Sequence, residues 1–292
     1  MLKFNKILFE VKIVKKVLII SDLTCHGEIN MMAISQVLGA FDFEVSILPL
    51  SITSTVNAYQ NKIIIDLSNE IEKIIDQFKN ERIKFDCIYV GYVPKRECFN
   101  HIIEAKERLI EDGGIFVLDP KLGRDGKLYE ELDEGIIMGM MDLASIADYI
   151  FPNITEAMLL TNNRKYEEVQ DDYYINELIA DLYRNGSKNV ILTSVQDDLY
   201  SSGAIAYDGL TKTTVLKEKM DGYYQGTGDI FKAFVLGMIL SGKSVKEAMD
   251  KASDFVMDAL EYTIDDANHQ YAIKFEEALA KYTHIKPNPG WE

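Results

Sequence analysis

Short apolar segments rich in β-branched residues alternate along this chain with segments of helical periodicity. Residues 17–21 form the first apolar segment, a helix is predicted over 30–38, and a second strand over 43–48. Parallel strands need crossover connections, usually helices, so this alternation favours a mostly parallel sheet with helices on both faces. The sequence therefore predicts an α/β fold.

The same alternation continues along the chain. Further strands are predicted at residues 85–90, 115–118, 147–151, 190–193, 204–207 and 213–216. The spacing of apolar residues predicts further helices over 63–78, 102–110, 174–183, 229–241 and 245–262. No linker or repeat divides the sequence, so we expect one domain over 1–292, with 49–65 as a small projection and 1–15 as an extension of unassigned role.

The charge balance narrows the choice of partners. A formal net charge of -16, from 47 acidic and 31 basic side chains, repels phosphate backbones and argues against a nucleic-acid partner. A nucleotide would need locally placed donors or a metal ion. Three cysteines without zinc-type spacing fit a reducing compartment. The first residues lack the continuous apolar stretch of a signal peptide, and no apolar run elsewhere reaches the length of a membrane span. We therefore expect a cytoplasmic protein without membrane contacts.

One motif fits its pattern but not its context. Residues 237–244, Gly-Met-Ile-Leu-Ser-Gly-Lys-Ser, match the phosphate-loop pattern G-x-x-x-x-G-K-[ST]. That loop must follow a strand, whereas residues 238–240 continue the apolar face of a predicted helix. Gly242 suits the position after a helix end, and Ser244 suits the cap of the next helix. The sequence predicts no phosphate site there.

A second glycine-rich segment has the right context. Gly226, Thr227, Gly228 and Asp229 stand where a predicted loop turns into an apolar helix. Glycines allow close approach to an anion, and the first N–H groups of a helix favour negative charge. A carboxylate at this point can accept the proton of an attacking hydroxyl during phosphoryl transfer, although an ordinary Asp near a helix start needs no function.

Other polar residues follow predicted strands, where ligands gather in parallel sheets. Asp119 ends a strand and either holds magnesium, directly or through water, or forms a turn with the proline after it. Asn153 and Glu156 have the spacing of a helix capping box. The hydroxyl of Thr193 either meets phosphate or lies half-buried in its strand.

Several segments occur in the order of a known family. They are residues 17–24, 119–129 (Asp-Pro-Lys-Leu-Gly-Arg-Asp-Gly-Lys-Leu-Tyr), 151–157 (Phe-Pro-Asn-Ile-Thr-Glu-Ala), 190–194, 226–229 and 263–266. Together they resemble the vitamin B6 branch, the pyridoxal and pyridoxamine kinases, of the ribokinase-like superfamily. The resemblance covers about residues 16–280. It implies a ribokinase-like fold, a homodimer, ATP and Mg²⁺ as cofactors, and a small-molecule alcohol, a B6 vitamer, as substrate.

The resemblance also implies roles for individual residues. Asp229 is the implied catalytic base, and the N–H groups of residues 226–228 hold the transferring phosphoryl group. The other implied positions are Asn153, Thr193 and Ser194 for ATP, Asp119 and Glu156 for the metal, and Ser21, Asp22, Thr55 and Tyr92 for the substrate.

The departures from the family lie mainly at the substrate segments. Val56 stands where the B6 kinases usually have His, and Lys95 follows Gly-Tyr-Val-Pro where the family commonly reads Gly-Tyr-Leu-Gly-Ser. Arg124 replaces the second acidic residue of the Asp-Pro segment, with Asp125 adjacent, and His26 lies in a turn. A hydroxymethylpyrimidine or sugar-like alcohol therefore stays open as acceptor, as does a catalytically silent relative that binds a vitamer or nucleotide.

Overall fold

The computed structural model of the protein describes residues 14–27, 29–56, 59, 61–161, 166, 171–196, 200–219, 224–264, 266 and 272–283. Of the predicted extension over 1–15, residues 1–13 lie outside this part of the chain. Its strands are β1 (Lys16–Thr24), β2 (Glu44–Thr53), β3 (Ile64–Asp66), β4 (Phe85–Val90), β5 (Ile110–Leu118), β6 (Gly123–Arg124), β7 (Lys127–Leu128), β8 (Tyr149–Ile150), β9 (Val190–Gln196), β10 (Ser201–Tyr207) and β11 (Lys212–Glu218). Its helices are α1 (Asn30–Ala40), α2 (Ile71–Asn80), α3 (Cys98–Leu109), α4 (Gly135–Ile146), α5 (Ile154–Thr161), α6 (Asp172–Arg184), α7 (Thr227–Leu240), α8 (Val245–Ile264) and α9 (Glu276–Tyr282).

The main sheet has the strand order β11-β10-β9-β8-β5-β4-β1-β2-β3, and β6 pairs with β7 in a separate hairpin. The strands from β9 to β2 pair in parallel, whereas β10 and β11 at one edge and β3 at the other pair antiparallel. The predicted mostly parallel sheet is confirmed. Strand β1 lies between β2 and β4, so the connections leave it in opposite directions, and such a switch point opens a crevice at the carboxyl ends of the strands.

Helices cover both faces of this sheet, as β1 illustrates. Leu18 and Ile20 pack into the core formed with helices α2 to α6, whereas Val17 and Ile19 pack into the core formed with α1 and α7 to α9. Burial of each such side chain stabilises the fold by about 1.5–3 kcal/mol. A strand buried on both faces is apolar at consecutive positions, which explains why the sequence of β1 is a continuous apolar segment.

The predicted helix over residues 63–78 is wrong in its first part. Strand β3 pairs with the outer edge of β2, a 3₁₀ turn follows at Ser68–Glu70, and helix α2 begins only at Ile71. Isoleucines at 63–65 favour an extended backbone, and the open edge of β2 supplies its hydrogen-bond partners. The predicted projection over 49–65 is wrong for those of its residues that belong to β2 and β3. These residues widen the main sheet and do not project from it.

Other strand boundaries differ from the predicted ones, because pairing with neighbouring strands decides where a strand begins and ends. Strand β2 continues to Thr53 and β5 begins at Ile110, whereas residues 147–151 contribute only the two-residue strand β8. Helices α4 and α9 escaped prediction. Helix α4 is apolar on most sides, with residues such as Ile137 and Met138 between its buried positions, so its sequence lacks a clear polar face. In the described ranges, no helix is long and apolar enough to cross a membrane.

The phosphate-loop match at residues 237–244 is a helix end, as predicted. Gly237 lies inside α7, which ends at Leu240. Gly242 has a φ of 83°, the left-handed backbone that follows many helices. The Oγ of Ser244 accepts a hydrogen bond from the backbone N–H of Glu247 at 3.2 Å, at the start of α8.

Helix α6 offers a direct test of a local stabilising contact. The carboxylate of Asp171 accepts a hydrogen bond from the N–H of Tyr174 at 2.7 Å and caps the helix. We expect Asp171→Ala to lower the free energy of unfolding by about 1 kcal/mol, because the N–H loses its partner. Urea unfolding followed by circular dichroism measures this. An unchanged transition midpoint would contradict the assigned cap.

Candidate active site

Helix α7 begins at the carboxyl edge of the sheet. Gly226 precedes it with a φ of 91°, a left-handed conformation that glycine adopts without a steric penalty. The first N–H groups of the helix have no partner within the helix, and the helix dipole adds positive potential. Asp229 lies in this first turn and is buried. The arrangement provides an anion-binding backbone and a carboxylate side by side.

This turn lines a cavity of about 800 Å³, a size suited to small molecules. Two of the predicted site residues, Ser21 and Asp119, are fully buried and lie behind its wall. The other predicted residues line the cavity: Asp22, Thr55, Tyr92, Asn153, Glu156, Thr193, Ser194, Gly226, Thr227, Gly228 and Asp229.

The carboxylate of Asp229 is held through both oxygens. The ammonium of Lys121 lies 2.5 Å from Oδ1, and the backbone N–H of Asn30 donates to Oδ2 at 2.7 Å. Burial by itself would raise the pKa of Asp229, but Lys121 and the Asn30 hydrogen bond lower it below its usual 3.8. Asp229 is therefore a fixed, ionised carboxylate near neutral pH.

Asn30 connects this carboxylate to a second one. Its Nδ2 donates to Asp22 at 2.8 Å, and its Oδ1 accepts from the Lys121 ammonium. Asn30 has a φ of 51°, a left-handed backbone that Asn tolerates better than most residues. Burial raises the pKa of Asp22, whereas the pKa of Asp229 is lowered, so ionisation of Asp22 costs more free energy than ionisation of Asp229.

Asp119 is also fully paired, behind the cavity wall. Its Oδ1 accepts from the ammonium of Lys232, its Oδ2 accepts from the hydroxyl of Tyr89 at 2.8 Å, and the ammonium of Lys121 lies 3.9 Å from Oδ2. Burial works against the charge of Lys232, but Asp119 and Glu156 raise the pKa of Lys232 above its usual value. The two charges therefore persist as a buried ion pair.

Asn153 and Glu156 form the reciprocal capping box at the start of α5. The side-chain oxygen of Asn153 accepts from the N–H of Glu156 at 2.9 Å, and the carboxylate of Glu156 accepts from the N–H of Asn153 at 2.7 Å. Asn153 Nδ2 also donates to the carbonyl of Gly123 at 3.0 Å. Burial raises the pKa of Glu156 to about 7, so this carboxyl is partly protonated near neutral pH.

Thr193 and Ser194 lie beside this box in the middle of β9, which continues to Gln196, and Thr193 forms a parallel bridge with Asn153. The Thr193 hydroxyl donates to the carbonyl of Pro152 at 3.2 Å. The ladder between β9 and β10 skips Ser194, and Ser194 has a φ of 60°. Such a bulge re-aims side chains next to functional sites, and Ser194 is exposed at the cavity.

The opposite end of the cavity carries two buried hydroxyl groups. Among the residues that the structure describes, Ser51 Oγ and Thr55 Oγ1 have no hydrogen-bond partner. Tyr92 lines this end, and its backbone N–H donates to Ser21 Oγ at 3.0 Å. Ser21 therefore positions the Tyr92 segment. A side chain at Gly91 would clash with it, since an added Cβ would lie 2.5 Å from Ser21 Oγ.

Val56 closes the apolar side of this end. It packs against Gly27, where an added Cβ would lie 2.2 Å from Val56 Cγ1. The exposed His26 contacts the hydroxyl of Tyr59 at 3.4 Å and is absent from the cavity wall. His26 therefore does not take the place of the missing imidazole.

The other two departures line the cavity. Lys95 forms an ion pair with Asp66, the last residue of β3. Arg124 lies in the hairpin of β6 and β7, whose turn contains Asp125 with a φ of 51°. Both substitutions therefore bring cationic side chains to the cavity of an acidic protein.

The donors around Asp119 and Glu156 do not fit a metal ion held directly by the protein. Two ammonium groups lie beside the Asp119 carboxylate, that of Lys232 on Oδ1 and that of Lys121 3.9 Å from Oδ2, and their positive charge opposes a divalent cation at the same carboxylate. Across the described residues, no group of three or more His, Cys, Asp or Glu side chains could hold a metal ion. The predicted role of these two residues in binding Mg²⁺ stays a prediction without support from the donor geometry.

Sequence reasoning missed Lys121, Lys232, Asn30 and Tyr89. One signal was available for Lys121, because it stands where the resembling family has Val, and a charged residue after a buried strand needs a partner. Lys232 follows Asp229 by three positions, hence on nearly the same side of α7, in an otherwise apolar helix. Nothing in the sequence marks Asn30 or Tyr89.

In sequence, the chain is similar to known kinases. The sequence profile of the phosphomethylpyrimidine kinase family matches residues 50–273. The chain is 26% identical over 253 residues to the pyridoxal kinase of Dictyostelium discoideum, with 80% of each chain covered.

The fold is also similar to those of solved structures. A Bacteroides thetaiotaomicron structure with pyridoxal, provisionally named a phosphomethylpyrimidine kinase, is 28% identical, with a TM-score of 0.85 over 92% of this chain and 95% of that chain. The pyridoxal kinase of Lactobacillus plantarum is 25% identical, with a TM-score of 0.83 over 91% of this chain and 96% of that chain.

Proposed function

The chain belongs to the phosphomethylpyrimidine kinase family, and we propose that it uses ATP to phosphorylate the 5′-hydroxymethyl group of pyridoxal, pyridoxamine or pyridoxine. It is a phosphotransferase with an alcohol acceptor and a ribokinase-like fold, as its similarity to pyridoxal kinases indicates. One observation carries the proposal: Asp229 is an ionised carboxylate in the first turn of α7, on the wall of a cavity of suitable size.

In the proposed reaction, Asp229 accepts the proton of the hydroxymethyl group. The alcohol oxygen then forms a bond to the γ-phosphorus of ATP. The bond from that phosphorus to the β,γ-bridging oxygen breaks, and its electron pair leaves with ADP. Backbone N–H groups of residues 226–228 stabilise charge on the transferring group. The Lys121 and Asn30 contacts leave acceptor capacity, because each carboxylate oxygen has two lone pairs.

The nucleotide would lie across the bulge in β9. Ser194 is exposed to the cavity at the bulge, and Asn153 and Thr193 line the same wall. We assign these three residues to the phosphates of ATP. Asn153 keeps its capping role, because the cap uses its Oδ1 and the backbone while the side-chain N–H₂ group retains a second donor.

A B6 vitamer is the favoured acceptor for two reasons. The relatives include pyridoxal kinases, and the Bacteroides structure contains pyridoxal. The acceptor end also combines the Tyr92 ring, apolar Val56 and the unpaired hydroxyls of Ser51 and Thr55. A flat, polar heterocycle needs this combination of apolar walls and a few hydrogen-bonding groups.

Hydroxymethylpyrimidine is the second candidate acceptor, and one substitution favours it. The buried Val56 replaces the imidazole that the resembling B6 kinases present to their substrate, which removes a polar contact. The family description names a phosphorylated pyrimidine rather than a pyridine. A pyrimidine carries ring nitrogens that the Ser51 and Thr55 hydroxyls can bind.

A panel of acceptors separates these candidates. We expect ADP release with B6 vitamers at a kcat/KM at least about tenfold above that with hydroxymethylpyrimidine or simple sugars, because the pocket contacts differ between the rings. A coupled ADP assay measures this, with ATP alone as the control. The reverse preference would establish the pyrimidine. ATP binding without ADP release across the panel would instead indicate a catalytically silent relative.

The homodimer and the cytoplasmic location implied by the resemblance stay predictions. Exposed isoleucines at positions 63–65, at the sheet edge formed by β3, are compatible with an interface between copies.

A further inference from the structure

Lys232 is a buried cation beside the proposed phosphate site. It lies one helical turn after Asp229 in α7, and its side chain is 7% exposed. It nevertheless lines the cavity, together with the glycine-rich turn before the helix. Burying an ammonium group costs free energy unless charged or polar partners compensate it. A lysine at this position in an otherwise apolar helix therefore needs such partners.

The partners of Lys232 are carboxylates of the cavity region. Its ammonium donates to Asp119, and Glu156 adds to the negative potential around it. In the described part of the chain, Asp119 is the hydrogen-bond partner that the structure assigns to Lys232. An ammonium group carries three donors. Two donors are therefore available for a ligand without breaking the ion pair.

A cation held by carboxylates next to a helix N-terminus is suited to phosphate groups. Protein-bound divalent ions usually supply such a charge in kinases, bound through one or two carboxylates and the phosphates of the substrate. Here the carboxylate that would take that part, Asp119, already has the ammonium of Lys232 on Oδ1 and that of Lys121 3.9 Å from Oδ2. A side-chain ammonium therefore lies where the metal ion would bind.

We propose that Lys232 binds the polyphosphate of the nucleotide directly and replaces the divalent metal ion that the protein itself would otherwise hold at Asp119. This inference rests on the proposed function, because the polyphosphate is that of ATP. Lys232 is then a fixed cation, oriented before the ligand arrives. A divalent ion enters this site only as part of the nucleotide complex.

The test measures nucleotide binding, not turnover. Isothermal titration with ADP and with adenosine is carried out in excess EDTA and in excess Mg²⁺. We expect the wild-type protein to bind ADP in EDTA. Lys232→Met should weaken ADP binding about 10–100-fold, as for a lost charged hydrogen bond, and leave adenosine binding within about twofold. Equal ADP affinity in the variant and the wild type would overturn the inference.

A matched control separates binding from general effects of removing a lysine. Lys188 pairs with Asp148 at 2.7 Å on the surface, away from the cavity, so Lys188→Met should leave ADP affinity unchanged. The charge-balanced double variant Asp119→Asn/Lys232→Met keeps no unpaired carboxylate at Asp119. If it folds and ADP binding stays weak, Lys232 binds phosphate. If ADP binding recovers, Lys232 serves only the ion pair and the inference fails.

Metal binding gives a second readout. Without nucleotide, we expect no Mn²⁺ binding to the wild-type protein by electron paramagnetic resonance. Mn²⁺ binding that disappears in Asp119→Asn would overturn the inference. Binding of ADP through Lys232 without phosphorylation of any alcohol in the panel would contradict the proposed function but support this inference.

Discussion

The variant Asp229→Asn is expected to lower kcat by about 10²–10⁴-fold, because the amide cannot accept the proton of the attacking hydroxyl. The substitution preserves shape, and its side-chain oxygen can still accept the hydrogen bond from the N–H of Asn30. The proposed nucleotide contacts, at the bulge in β9 and at residues 226–228, do not involve the carboxylate. ATP affinity is therefore expected to survive while turnover is lost.

Two measurements check this expectation. ADP release with the preferred acceptor gives kcat, and calorimetric titration with ATP gives the affinity. Asp76→Asn, on the exposed side of α2, is the matched control and should keep both values. Turnover by Asp229→Asn close to that of the wild type would remove Asp229 from the catalytic role and leave the fold assignment untouched.

Lys121→Met is expected to be the most destabilising single change at the site, by about 3–5 kcal/mol near neutral pH. Its ammonium compensates Asp229 at 2.5 Å and Asp119 at 3.9 Å, and it also lowers the pKa of the buried Asp22. Methionine fills a similar volume without charge, so these carboxylates would lose a buried counter-charge.

The pH dependence of this loss has a definite sign. In the wild-type protein the pKa of Asp229 lies below 3.8, so Asp229 contributes stability above pH 3.8 that is lost as pH falls through its lowered pKa. In the variant, burial dominates and raises the pKa of Asp229, so the carboxylate takes up a proton on acidification. The difference in unfolding free energy should be largest near neutral pH and shrink towards pH 4.

Urea unfolding at several pH values measures this difference. Lys188→Met, which removes an exposed ion pair with Asp148, is the control and should leave the transition midpoint nearly unchanged. An equally small effect of Lys121→Met would mean that Lys121 does not compensate these carboxylates in solution.

Much of the fold was accessible from the sequence. The buried strands β1, β4 and β9 are apolar over consecutive residues, and helix α6 (Asp172–Arg184) has one apolar face and contains the predicted helix over 174–183. The errors in the predicted secondary structure lie where contact with another strand or helix decides the conformation of a segment. Residues 64–66 form strand β3 because the edge of β2 was open. Helix α4 was missed because apolar residues such as Ile137 and the exposed Met138 stand between its buried positions, so its sequence has no clear polar face.

Some features of the candidate site were also predictable from the sequence, whereas others depend on tertiary packing. The turn at Gly226 and Asp229 and the capping box of Asn153 and Glu156 are local features, and their positions along the chain follow from short-range chemistry. The predicted strand end at Thr193 is not local, because pairing with β10 continues β9 to Gln196. Ser21 and Asp119 do not line the cavity, because side-chain direction at a strand end depends on the packing of neighbouring strands.

The sequence by itself determined that a glycine-rich turn places Asp229 at the start of a helix, since backbone conformation and helix dipole are local properties. Only the tertiary structure decided what surrounds that carboxylate. Lys121 is 108 residues away from Asp229 along the chain, and Lys232 is 113 residues away from Asp119. Such pairs form because strand order brings the carboxyl ends of β1 and β5 together beside α7. The free energy of each of these ion pairs depends on how deeply its two charges are buried, and a short segment of sequence does not determine that burial.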